Sequence, residues 1–69
     1  MHYTHIINKI KERRETLNVT QEQLADLASV GLRTLKELER GKGNPTIETI
    51  SKLADVLGLE VQLVVKGSK

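Results

Sequence analysis

Leu32, Arg33, Lys36 and Glu37 recur at spacings that place them on one side of a helix, and side chains of these types can read base edges in duplex DNA. The guanidinium fork of Arg33 can donate two hydrogen bonds to guanine O6 and N7, Leu32 can meet a thymine methyl, and Lys36 and Glu37 are second candidates for base contact. A good bidentate pair of this kind discriminates between bases by about 1–3 kcal/mol. Glu37 stands four residues after Arg33 and can instead pair with it and hold it in place. For each of the four, the plainer alternative is a solvated surface side chain.

Such readers need a rigid support, and residues 20–41 have the pattern of two short helices joined by a three-residue corner. Thr20 followed by Gln23 is a capping box that marks the start of the first helix. Leu24, Leu27 and Ala28 then form its inward stripe, with Glu22, Gln23 and Asp26 opposite, and the helix is expected to stop near Ser29. Gly31 is the cap expected for the second helix, Leu35 and Leu38 its inward stripe, and Gly41 the left-handed residue that ends it. Upstream, a helix over about Thr4–Leu17 presents Ile6, Ile7, Ile10, Arg14 and Leu17, so one place in an apolar stripe is held by an arginine that requires a partner. Downstream, Thr46 caps a helix with the stripe Ile47, Ile50, Leu53, Ala54 and Leu57, closed by Gly58.

Register on DNA would come from phosphate contacts. Thr20 and Gln21 open a helix whose N-terminus offers free N–H groups and a favourable dipole, and Thr34 stands in the first turn of the next helix. The loop Gly41-Lys42-Gly43-Asn44-Pro45 supplies one cation, an amide side chain and two glycines, which suit close approach to a phosphate; its alternative reading is a flexible connection.

At 69 residues the chain makes one small domain near the lower limit of independent stability. It has no cysteine, so neither a disulfide nor a thiolate metal site can add support, and a dimer is favoured on stability alone. The net charge of +2 is too weak to argue for nucleic acid, but Lys9, Lys11, Arg13 and Arg14 cluster in the first helix and Arg33, Lys36, Arg40 and Lys42 around the second unit. His2 and His5 are terminal, and no nucleophile, acid/base pair or metal cluster is discernible, so neither an enzyme nor a cofactor is expected. No apolar run approaches the roughly eighteen residues that span a bilayer, and the N-terminus lacks a signal-peptide core, so a cytoplasmic protein is expected.

Thr20-Gln-Glu-Gln-Leu-Ala25, Val30, Thr34-Leu35, Leu38-Glu-Arg-Gly-Lys42 and Asn44-Pro45 together resemble the Cro/repressor (Xre) class of helix-turn-helix proteins, over roughly residues 6 to 58. The resemblance implies an all-α fold, a compact four- to five-helix lambda-repressor-like DNA-binding domain over residues 1–58, with residues 32–40 as the recognition helix. It also implies that Arg14 pairs with Glu39 as a structural ion pair; two solvated surface charges are the alternative. Gly31 departs from the family, which commonly has a serine or threonine there that caps the recognition helix and touches the DNA backbone.

Residues 59–66 alternate Leu59, Val61, Leu63 and Val65 against Glu60, Gln62, Val64 and Lys66, the signature of a short C-terminal β-strand, with 67–69 as a disordered tail. A lone strand leaves its backbone groups unpaired, so its natural partner is the same strand from a second copy; an extended tail packed on the domain's own helices is the alternative. Helices followed by this pattern also resemble the HipB-type antitoxins, which repress their own operon and hold a HipA-type kinase toxin. A dimer would place two recognition helices roughly 34 Å apart on an approximately palindromic operator. The competing class is a protein-interaction module that uses the same fold without specific DNA binding.

Overall fold

The computed structural model of the chain describes residues 4–62. Among them are four helices, α1 (Thr4–Thr16), α2 (Gln21–Ala28), α3 (Leu32–Glu39) and α4 (Ile47–Val56). α2 packs on both α3 and α4, and α1 packs on α3. Leu24, Leu35, Leu53 and Leu57 are the largest fully buried side chains, and Ile7, Ile10, Leu38 and Ile50 complete the apolar centre around them.

Two helices begin with side-chain caps that the sequence marks. Thr20 Oγ1 accepts from the Gln23 N–H at 3.0 Å while Gln23 Oε1 accepts from the Thr20 N–H at 2.9 Å, which closes the reciprocal capping box. Thr46 Oγ1 likewise accepts from the Thr49 N–H at 3.0 Å.

All four helices end in the same way, on a residue with positive φ: Asn18 (58°), Ser29 (56°), Gly41 (82°) and Gly58 (73°). In each case the N–H of the following residue reaches back to the last turn, as Val19 to Arg14, Val30 to Ala25, Lys42 to Glu37 and Leu59 to Ala54, at 2.8–3.0 Å. This is the Schellman arrangement, which satisfies carbonyls that a helix end otherwise leaves open. The chain therefore turns sharply after every helix, and short connections suffice.

Three expected core residues are not in the core. Leu27 is 66% exposed because α2 buries Leu24, Ala25 and Ala28, a stripe centred about a quarter-turn away from it. Leu17 is 43% exposed because α1 ends at Thr16 and the turn swings it outward. Ile47 is 64% exposed because it stands in the first turn of α4, beyond the reach of the helices that cover Ile50 and Leu53. Arg13, grouped by sequence with the basic residues of α1, is half-buried, and its Nε donates to the Leu57 carbonyl at 3.0 Å. It thus places a cation at the C-terminus of α4, where the helix dipole favours one.

Residues 59–62 are not in a strand, so the C-terminal strand expected over 59–66 is not found among the described residues. Among the described residues this segment has no neighbouring strand with which to form a ladder. Leu59 packs on the core and Val61 is 46% exposed, whereas Leu63 and Val65 lie outside the described residues, as does the 67–69 tail.

Candidate nucleic-acid interface

The inner face of α3 is fixed by Leu35 and Leu38, both buried, and by a polar clamp at its last turn. Arg14 Nε and NH2 donate to the two Glu39 carboxylate oxygens at 2.9 and 3.0 Å, and Arg14 NH1 donates to the Val19 carbonyl at 2.8 Å. Gln21 Nε2 donates to Glu39 Oε1 at 3.0 Å. The Arg14 and Glu39 side chains are only 12% and 3% exposed, so the carboxylate is almost wholly enclosed by its donors. Hydrogen bonding to Glu39 raises the Arg14 pKa above the usual arginine range; burial pulls it down, and the charges of Glu39 and Glu15 add to the rise. The clamp joins α1, the start of α2 and the end of α3, and so sets the angle at which α3 is presented.

Opposite that clamp, α3 carries a charged outer face. Leu32, Arg33, Lys36, Glu37 and Arg40 line one shallow surface hollow, which brings all four expected base readers together. The Arg33 side chain is 92% exposed, with its Nε 3.8 Å from Glu37 Oε2, a loose i,i+4 pair that a stronger hydrogen-bond acceptor can displace. Leu32 is half-buried against the core, so only part of its side chain is available for an apolar contact. Arg40 belongs to the same face but was not among the expected readers. Its spacing carries the signal, since it follows Arg33 by seven residues and Lys36 by four.

The expected phosphate contacts sit around this face with altered hydrogen-bonding capacity. The capping box occupies the Thr20 N–H and accepts through its hydroxyl oxygen, which leaves the hydroxyl proton for a ligand. The Gln21 amide nitrogen is engaged with Glu39, so a phosphate would share that group or use the Gln21 backbone N–H. Thr34 is exposed in the first turn of α3, and Gly31 caps that helix with no side-chain hydrogen bond. Lys42 and Asn44 are exposed after α3. The Gly41 and Lys42 N–H groups donate to Leu38 and Glu37 carbonyls at 3.0 and 2.8 Å, so this loop approaches a phosphate with the Lys42 and Asn44 side chains and not with those two amides.

Among the described residues, no group of His, Asp and Glu is arranged to hold a metal ion, and no helix is long and apolar enough to cross a membrane. Two short helices meeting at a capped corner, the second with one face locked inward and the other charged and open, make this a helix-turn-helix domain. The chain belongs to the HTH_3 helix-turn-helix family, whose model matches residues 10–64.

Among its relatives, the chain is 42% identical over 57 residues to the cryptic phage CTXphi transcriptional repressor RstR of Vibrio cholerae, covering 77% of this chain and 51% of that protein. It is 39% identical over 54 residues to an HTH-type transcriptional regulator of Archaeoglobus fulgidus, covering 78% and 76% of the two chains. It is 35% identical over 57 residues to the immunity repressor protein of Bacillus phage phi105, covering 83% of this chain and 40% of that one. The chain spans about half the length of the Vibrio cholerae repressor and of the Deinococcus deserti regulator DdrOP3, at 51% and 48%.

Proposed function

We propose that this chain is a sequence-specific DNA-binding transcriptional regulator that acts as a repressor. The observation that carries the reading is the division of α3. Its inner face is immobilised by Leu35, Leu38 and the Arg14 to Glu39 clamp, while Arg33, Lys36, Glu37 and Arg40 are presented together on the outer one. A helix held in this way enters the major groove with Arg33 as the principal base reader, Lys36 and Glu37 beside it, and Leu32 at the edge. Thr20, Gln21, Thr34, Lys42 and Asn44 contact phosphates and set the register. The names of the Vibrio cholerae and phage phi105 relatives support repression, the outcome when bound protein excludes polymerase from a promoter.

The working unit is a homodimer on an approximately palindromic operator, its two α3 helices in successive major grooves. The alternation of residues 59–66 supports it, with Leu59, Val61, Leu63 and Val65 as the dimer strand. The same alternation supports an antitoxin role toward a HipA-type kinase toxin, tested by co-purification with the product of the neighbouring gene.

The experiment that tests regulation is binding to the gene's own upstream DNA at two salt concentrations, with excess unrelated duplex as competitor. Binding that survives the competitor and weakens with salt is expected. Binding lost to the competitor at both salts transfers the function to protein partners.

A further inference from the structure

α3 carries two glutamates in opposite settings. Glu39 is enclosed by Arg14 and Gln21, with its side chain 3% exposed, and serves the fold. The Glu37 side chain is 45% exposed and is the one carboxylate among the described residues that line the hollow of the outer face, beside Leu32, Arg33, Lys36 and Arg40.

Local structure gives little reason for an acid at this position. Glu37 stands in the last turn of α3, where the helix dipole disfavours a negative charge. Its i,i+4 partner Arg33 precedes it, which is the weaker order for such a pair, and Arg33 Nε is 3.8 Å from Glu37 Oε2 with the arginine side chain 92% exposed. On a face that meets phosphates, a carboxylate also lowers affinity for every duplex. A charge that adds little to the helix and opposes general DNA binding acts through what it rejects.

We propose that Arg33 and Glu37 enter the major groove as a unit, in which Arg33 reads a guanine, Glu37 accepts from the N4 amino group of a cytosine in the adjoining base pair, and the Glu37 charge rejects duplexes that lack this donor. The inference rests on the DNA-binding reading above and adds to it the base that the second side chain selects.

The chemistry of base edges leads to this assignment. In the major groove guanine presents acceptors at O6 and N7, and thymine an acceptor at O4, both of which repel an acceptor-only carboxylate. Adenine sets its N6 donor beside its own N7 acceptor, which leaves cytosine as the edge with a donor and no acceptor. Arg33 is the converse, all donors, and suits guanine. Four residues of helix rise about 6 Å, more than the roughly 3.4 Å between stacked bases, so the carboxylate falls on the pair next to that guanine. The two side chains already lie together in the free protein, so the unit reaches the groove assembled.

The test selects binding sites for the whole chain from a pool of random-sequence duplexes, in parallel with Glu37→Gln. The parent is expected to enrich a guanine with a cytosine at a fixed place in the adjoining pair. Glu37→Gln is expected to keep the guanine and lose the neighbouring preference, because an amide donates as well as accepts. Its affinity for an unrelated duplex should rise a few-fold, and the ratio of selected to unrelated binding should fall roughly tenfold. Another base enriched beside the guanine, or an unchanged ratio in the variant, overturns the proposal and leaves the DNA-binding reading standing. A parent that enriches no sequence overturns both.

N4-methylcytosine at the selected position provides a second measurement, since it keeps its Watson–Crick pair but sets a methyl where the groove-facing amino hydrogen stands. The parent is expected to lose roughly tenfold in affinity on this duplex, and Glu37→Ala, which has neither the acceptor nor the bulk, to lose little. Equal losses overturn the contact.

Discussion

Arg14 holds Glu39 by two hydrogen bonds of 2.9 and 3.0 Å across a separation of 25 residues, and this pair ties the end of α1 to the last turn of the helix presented for recognition. Gln21 completes the enclosure of the same carboxylate. The structure thus fixes α3 at its C-terminal end by polar contacts and along its length by leucines.

Removing one member of the clamp is expected to be severe. Arg14→Ala leaves the Glu39 carboxylate, 3% exposed, without its main donor, and breaking such a pair costs about 3–5 kcal/mol. That is a large part of the stability of a domain this size, so urea denaturation should show a variant at or beyond the edge of unfolding. Arg14→Lys should recover little, because an ammonium cannot match both carboxylate oxygens and the Val19 carbonyl together. An Arg14→Lys protein as stable as the parent would remove the clamp from the account of the fold.

The pH dependence of that effect follows from the direction of the Arg14 shift. A folded-state pKa raised above the unfolded value gives stability that is complete below the unfolded pKa and is lost only as pH rises through the folded one. Both values lie far above neutrality. The contribution of the Arg14 charge should therefore be constant between about pH 6 and pH 9, checked by thermal melts of the parent at both ends of that range in matched salt.

Arg33→Ala tests the outer face alone. The side chain is 92% exposed and makes a loose ion pair with Glu37, so stability should change by no more than about 0.5 kcal/mol. Specific DNA binding should weaken by about 1–3 kcal/mol, and preference at one base position should relax. Titration of the operator and of a scrambled duplex separates the two effects. Equal loss on both duplexes would demote Arg33 to a phosphate contact.

Much of this arrangement was legible in the sequence because its signals are local. Thr20 with Gln23, Thr46, Gly41 and Gly58 mark helix ends by chemistry confined to a few residues, and all four act at those places. The α3 stripe was also legible, since Leu35 and Leu38 leave little choice of phase. The phase of α2 was not, because in eight residues Leu27 and Ala25 compete for the inward side and only the position of α4 decides between them. The role of Arg13 was hidden for a similar reason, as its acceptor on Leu57 lies 44 residues away. Arg40 was readable from spacing, but its charge counted only toward the basic cluster around the second unit.

Salt dependence tests the phosphate contacts. Lys42 is exposed just after α3, and its backbone N–H is already bonded to Glu37, so only its ammonium is free to neutralise a phosphate. Lys42→Ala should weaken binding by a similar factor on every sequence and reduce the slope of log affinity against log salt by about 1. A change confined to the operator would make Lys42 a base reader.

The corner between α2 and α3 gives the last prediction, because its two small residues occupy positions that suit each other better. Ser29 adopts φ 56°, a left-handed conformation that penalises a side chain, while Gly31 sits at φ −62° and ψ 137°, which any residue adopts, and caps α3 without a side-chain bond. A Cβ at Gly31 would meet only Thr34 Oγ1, at 3.6 Å, an ordinary contact. Gly31→Ser should therefore stabilise the domain by about 0.5–1 kcal/mol, through a new cap and a less flexible unfolded chain. Ser29→Gly should add about 0.5–1 kcal/mol by relieving the left-handed strain, partly offset by glycine's greater entropy loss. Gly31→Ser should also tighten DNA binding, since a hydroxyl at the start of α3 can donate to a phosphate while its oxygen caps the helix. A gain in melting temperature with no gain in affinity would show that the N-terminus of α3 lies away from the DNA backbone, and a loss of both would mean that the corner needs glycine for close approach of the duplex.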